Sequence, residues 1–245
     1  MLNSKNQLLQ QLQRDILPLQ GIKSLPSDND VVLHMPSLEA SFPNDSFPVG
    51  CTHEFILSSP QSMAATSGFV AGVLGKLMSL GGVCIYISTS RTLFPAALQR
   101  YGIQPHQVIF IDLKKEADVL YATEEALKCG RITAVISEID QISFKESRRF
   151  QLAAEGRRTT GFLLRRQSRA LNTIAAVSRW HITPVASDLP DDLPGVGYAR
   201  WRVELLKIRN GRPGKWEIEW SANGFTEVSK DMSVVHRKDI ETMTG

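Results

Sequence analysis

Ser59-Pro60-Gln61-Ser62-Met63-Ala64-Ala65-Thr66 lies between a β-like run at 52–57 (THEFIL) and a helix-like run at 63–80. An α/β nucleotide-binding domain carries its phosphate loop at this place, with the pattern Gly, four residues, Gly-Lys-Ser/Thr. Laid on that pattern, Ser59 and Ala64 stand where the glycines would be. Ala65 stands for the lysine, and only the hydroxyl of Thr66 survives. Phosphates are held by converging backbone N–H groups, which need glycine where the chain approaches closely, and by the lysine charge. Each lost charge-assisted hydrogen bond removes about 1.5–3 kcal/mol. The stretch therefore predicts binding rather than hydrolysis. The same residues fit an ordinary strand-to-helix turn equally well, and both readings stand on the sequence.

Outward from this point, strands and helices alternate. Strand-like runs occur at 83–88 (VCIYIS), 107–112 (QVIFID), 132–137 (ITAVIS) and 159–165 (TTGFLLR). Helix-like runs lie between them at 92–101, 116–129 and 145–155, with Gly102, Gly130 and Gly156 as stops. Continuous apolar strands with intervening helices mark βαβ units and a parallel sheet buried on both faces. Right-handed crossovers then place helices on both sides. The pattern changes after Arg165. Residues 175–183 are strand-like, and 199–210 with 215–220 reads as a hairpin around the turn GRPG. Trp216, Ile218 and Trp220 fall on one face of its second arm. The fold class is α/β, with a mostly parallel twisted sheet flanked by helices and a C-terminal antiparallel hairpin.

The organisation expected is an amphipathic helix within 1–20, an irregular lead-in over 21–50, a core over 51–221 and a polar tail over 222–245. In the first segment Leu8, Leu9, Leu12 and Ile16 share a helical face that could dock on the core or on a partner. The tail is a second candidate docking element.

The 245 residues suffice for one large domain, and a net charge of +3 neither demands nor excludes nucleic acid. Cys51, Cys84 and Cys129 have no metal-like spacing and read as reduced thiols of a cytoplasmic protein. His34, His53, His106, His181 and His236 are scattered, without the spacing of a metal site or a triad. No cofactor, metal or catalytic residue is expected. The polar N-terminus is unlike a signal peptide, and no apolar run reaches the roughly 18 residues of a membrane span. Glu138 and Asp140 end a strand where nucleotide hydrolases hold magnesium, but without a phosphate loop they read as solvated carboxylates.

Charge is concentrated in one window. Lys145, Arg148, Arg149, Arg157, Arg158, Arg165, Arg166 and Arg169 are opposed only by Glu146 and Glu155. The window carries +6 and leaves −3 for the rest of the chain. It is the candidate surface for single-stranded DNA or an acidic protein, and a plainly solvated arginine face is the alternative.

Several segments in order resemble the RecA core: SLEASFPNDSFPVGCTHEFI, YGIQPHQVIFIDLKKEADVLYATEEALKCGRITAVISEID and WRVELLKIRNGRPGKWEIEW. That resemblance sets Ala65 at the phosphate-loop lysine, Ser90 near the catalytic glutamate and Glu138 near the magnesium-side aspartate. The segment after Arg165 is much shorter than RecA's DNA-binding loop. SRRFQLAAEGRRTTGFLLR and RWRVELLKIRNGRPGKWEIEW are similar to the most recognisable segments of the ImuA family, and the resemblance spans about residues 35–221. It implies a RecA-like fold and a non-catalytic role in SOS-induced translesion mutagenesis. The partners implied are an ImuB-type polymerase relative and an error-prone replicative-type DNA polymerase, with RecA, single-stranded DNA and self-association as further candidates. A SulA-like inhibitor of cell division and a divergent RecA-type ATPase are the alternative functions.

Overall fold

The computed structural model of the protein describes residues 32–79, 81–166, 172–187 and 197–228. Its centre is the strand β1 (Thr52–Leu57), every residue of which is buried. Burial on both sides requires two covering layers, the setting in which parallel strands occur. The neighbours are β5 (Thr160–Arg166) and β6 (Ser178–Val185), both parallel to β1. Beyond β5 lie β4 (Ala134–Ile139), β2 (Cys84–Ser88) and the edge strand β3 (Val108–Asp112). Beyond β6 the sheet turns antiparallel through β7 (Ala199–Ile208), β8 (Gly214–Ser221) and β9 (Gly224–Glu227). The order is β3-β2-β4-β5-β1-β6-β7-β8-β9. The expected α/β class, mostly parallel sheet and C-terminal hairpin are all present.

Four α-helices are described: α1 (Pro36–Glu39), α2 (Pro60–Leu77), α3 (Glu116–Leu127) and α4 (Phe144–Arg157). α2 covers one sheet face. Phe55, Phe69, Trp180, Trp201 and Phe225 pack there, and Phe55 stacks on Trp180 at 5.9 Å between ring centres. α3 and α4 cover the other face, over Ile87, Val135 and Leu163. α2 carries glycines at 68, 72 and 75 for a packing reason. A Cβ at Gly72 would lie 2.5 Å from the Phe225 ring, and one at Gly75 only 2.0 Å from the Tyr101 carbonyl oxygen.

Three segments differ from the sequence expectation. The run at 92–101 forms a 3-10 helix over Pro95–Tyr101, ended by Gly102 at φ 78. The lead-in is irregular but not peripheral: Leu33, Met35, Leu38, Phe42 and Phe47 are buried in the α2-side core. Its backbone is held by Glu39, whose carboxylate accepts from Leu33 N at 2.7 Å and Met35 N at 3.2 Å. The polar tail expected from 222 still includes a strand, because β9 pairs with β8 through Ile218↔Glu227 to Ser221↔Gly224. The Glu227 carboxylate also accepts from Ser37 Oγ at 2.5 Å and Ser37 N at 3.0 Å, which caps α1. The apolar stripe Leu8, Leu9, Leu12 and Ile16 lies outside the described residues, as does Arg169.

Candidate functional site

Only Ser58 and Ser59 separate β1 from α2. Ser59 is the N-cap: its Oγ accepts from Ser62 N at 3.1 Å, and Pro60 takes the first helical position, where a missing N–H costs nothing. Met63 N already donates to Ser59 O at 2.9 Å. The amides that would arch around phosphates are wound into a helical turn. Ala64 is exposed, whereas Ala65 belongs to the apolar core. Thr66 is fully buried, and its Oγ1 has no hydrogen-bond partner in the protein. Of the two readings of this stretch, the geometry is that of the strand-to-helix turn. The small apolar cavity beneath α2, lined in part by Ser67, Ala71, Tyr86 and Ile136, has a volume of about 10 Å³. That is the size of a single water site.

At the C-terminal ends of the parallel strands, Glu138 is not a solvated carboxylate, and that expectation is corrected. It is 2% exposed. Tyr86 OH donates to its Oε1 at 2.5 Å, and Arg166 Nη2 donates to Oε2 at 3.0 Å. Tyr86 comes from β2 and Arg166 from β5, so three strands converge on one carboxylate. Burial and the adjacent Glu138 charge push the Tyr86 phenol up, which keeps it a donor. Arg166 also reaches Asp140 at 3.6 Å. Asp140 N donates to Glu116 at 2.6 Å, and burial pushes the Glu116 carboxyl up.

A second buried carboxylate, Glu54 of β1, lies on the opposite sheet face. Arg165 Nη1 donates to its Oε1 at 2.5 Å and Arg179 Nε to its Oε2 at 2.6 Å. Asn172 joins them, accepting from Arg165 Nη2 at 2.8 Å and donating to Ile142 O at 2.8 Å. This network fixes the chain where it re-enters the described body after Arg166.

The basic window is therefore not one surface. Arg165 is 4% exposed and bound to Glu54. Arg166 serves Glu138 and Asp140. Arg149 pairs with Glu124 of the neighbouring helix. Arg157 and Arg158 sit at the C-terminal end of α4, about 20 Å along the axis from its start. Cations there complement the helix dipole. Lys145 and Arg148 remain exposed on the first two turns, and among the described residues neither is in an ion pair.

Two histidine relays were invisible in the linear spacing. His53 Nε2 contacts Pro48 O at 2.8 Å, an oxygen that can only accept, so Nε2 carries the proton. Nδ1 then accepts from Ser178 Oγ at 2.6 Å, and Ser178 accepts from Trp180 Nε1 at 2.6 Å. Burial lowers His53 to about 4 and pushes the neighbouring Cys51 thiol up to about 12. Neither group is an activated nucleophile or base at neutral pH. In the second relay His181 joins Ser58 Oγ at 3.0 Å to Glu204 Oε2 at 3.0 Å. Glu204 is also shared with Lys215 at 2.7 Å. The order is that of a serine–histidine–acid relay. Its acid, Glu204, belongs to the cross-strand charge ladder of β7 and β8, with Arg202–Glu217 and Arg200–Glu219. Its evident work is to tie the β1–α2 turn to β6 and β7. Among the described residues there is no cluster of three or more His, Cys, Asp or Glu able to hold a metal, and no helix long and apolar enough to cross a membrane.

The architecture defines a doubly wound α/β domain with a short capped turn between its central strand and the helix that follows. No family model matches the chain. It is 32% identical over 196 residues to Protein ImuA of Caulobacter vibrioides, in strain NA1000 / CB15N and in strain ATCC 19089 / CIP 103742 / CB 15 alike. The match spans 75% of this chain and 80% of the relative. The chain belongs to the ImuA family. Among solved structures it is similar to SulA from Pseudomonas aeruginosa, with 22% identity and a TM-score of 0.40, over 47% of this chain and 97% of that one.

Proposed function

We propose that this protein is a non-catalytic accessory component of an SOS-induced, error-prone translesion synthesis complex in the cytoplasm, built on a RecA-like core. The observation that carries the reading is family membership at 32% identity over most of both chains. The β1–α2 turn supports its non-catalytic part, since the backbone there is spent on helix and Ala65 on the core. A phosphate would find neither converging amides nor a lysine. The proposed partners are an ImuB-type polymerase relative and an error-prone replicative-type DNA polymerase, with RecA as a further candidate. Residues 1–20 and the segment beyond β9 are the proposed docking elements.

The test is the ultraviolet-induced mutation frequency of a strain lacking this gene. Induced mutation should fall sharply with survival only modestly reduced, and the wild-type gene should restore it. An unchanged frequency, with filamentation on overexpression, would overturn the reading in favour of a division inhibitor. ATP turnover by the purified protein that Thr66→Ala abolishes would overturn its non-catalytic part.

A further inference from the structure

α4 opens with the capping box Ser143/Glu146, in which Ser143 Oγ accepts from Glu146 N at 3.2 Å and Glu146 accepts from Ser143 N at 2.8 Å. The helix start is satisfied and needs no ligand. The outward residues of its first turns are the unexplained ones. Phe144, Arg148 and Leu152 form one i, i+4, i+8 row, with Lys145 and Arg149 alongside. Phe144 is 57% exposed and Leu152 is also open to solvent, although Phe150, Gln151 and Ala154 of the same helix are buried. Tyr121 of the adjacent α3 is 69% exposed. The Arg149–Glu124 ion pair joins the two helices at that level.

Stability does not account for this composition. Cations near a helix N-terminus oppose the macrodipole, which favours acids there. Lys145 and Arg148 have no acidic partner among the described residues to offset that cost. Phe144 and Leu152, each more than half exposed beside them, leave apolar surface in water that a contact would cover. Exposed cations interleaved with exposed aromatic faces match a chain that carries both phosphates and stackable bases. We infer that the face of α4 formed by Phe144, Lys145 and Arg148, with Tyr121 of α3, is a docking surface for single-stranded nucleic acid. An acidic protein segment would use the cations but would have no particular use for two aromatic rings. The surface deepens the accessory role proposed above by giving the component its own hold on an unpaired strand, and it rests on that reading.

The test uses the purified full-length chain and a fluorescein-labelled oligothymidylate, read by fluorescence anisotropy across a salt series. The wild type should bind, with affinity falling as salt rises. Lys145→Ala/Arg148→Ala should weaken binding about tenfold and flatten the log–log salt slope by about 1.4, the value for two lost phosphate contacts on a single strand. Phe144→Ala should weaken it roughly 5- to 150-fold and leave the slope unchanged. Arg157→Ala/Arg158→Ala, at the far end of the same helix, should stay within about twofold. All these side chains are exposed, so far-ultraviolet circular dichroism should be unaltered in every variant. The inference is overturned by absence of wild-type binding, by equal loss in the Arg157/Arg158 variant, or by displacement of the oligothymidylate by polyglutamate at matched charge. Any of these with induced mutation still dependent on the gene removes this surface and leaves the accessory role standing.

Discussion

Replacing Tyr86 by phenylalanine removes one oxygen from the convergence on Glu138. The ring stays, so the apolar packing around Ile136 and Phe110 is kept and the loss is that of a single hydrogen bond. That bond runs to an ionised acceptor, which is worth about 1.5–3 kcal/mol. Glu138 is 2% exposed, so water is poorly placed to replace the phenol, and the upper half of that range is expected. For a chain of this size 1 kcal/mol moves the melting temperature by about 2–4 °C, so Tyr86→Phe should melt roughly 5–10 °C lower. Urea titration followed by tryptophan fluorescence gives the free energy directly. A cycle with Arg166→Gln should show coupling of about 0.5–3 kcal/mol, because both donors grip one carboxylate. Magnesium or ATP should leave the melting temperature of either protein unchanged, since a native-state ligand would raise it. Strictly additive effects, or a Tyr86→Phe cost under about 0.5 kcal/mol, would refute the view of Glu138 as a structural clamp.

His53 predicts a pH dependence. The unfolded chain takes its proton near 6.5 and the native state resists until about 4, so the native state binds fewer protons between those values. Stability should therefore be complete above pH 6.5, fall by about 3 kcal/mol as pH drops to 4, and flatten below as far as this group is concerned. Urea midpoints at about pH 7, 5.5 and 4 for wild type and His53→Gln check this; parallel curves would exclude the assignment. Glycine substitutions give a paired test of packing. Gly156→Ala meets nothing within 4 Å and should stabilise α4 by up to about 1 kcal/mol. Gly75→Ala gains the same helix propensity but drives a Cβ to 2.0 Å from backbone, and should cost about 1–3 kcal/mol net. Thermal melts of the two variants should shift in opposite directions.

The parallel half of the sheet was legible because most of its strands are apolar runs separated by helix-like runs that glycines stop, and β1, β2, β4 and β5 begin and end close to where the strand-like runs do. The lead-in was not legible. Leu33, Met35, Leu38, Phe42 and Phe47 follow neither a helical nor a strand period, so only tertiary contact reveals them as core. Charge misled in the same way. Arg165 and Arg166 are adjacent letters in a basic window, but successive strand residues face opposite sides. One enters the Glu54 network and the other the Glu138 network. A signal was present in THEFIL, where a glutamate inside a strand buried on both faces calls for a buried cation. At the helix start, Ser143 with Glu146 was readable as a capping box, whereas the exposure of Phe144 depends on α3 packing beside it and not over it.

The carboxylate of Glu227 bonded to Ser37 has a mechanical consequence for assembly. It brings the two places where the polypeptide enters and leaves the described body, at residues 32 and 228, to within a few residues of each other. Residues 1–31 and 229–245, which hold the candidate docking sequences, are thus tethered to one point on the surface. Two docking segments rooted together, as proposed above, would act as a bidentate hold, because the first to engage presents the second at about millimolar effective concentration. A partner could then be held firmly in total and still released stepwise, one arm at a time. Glu227→Ala would loosen that common root and lower the combined affinity without altering either arm.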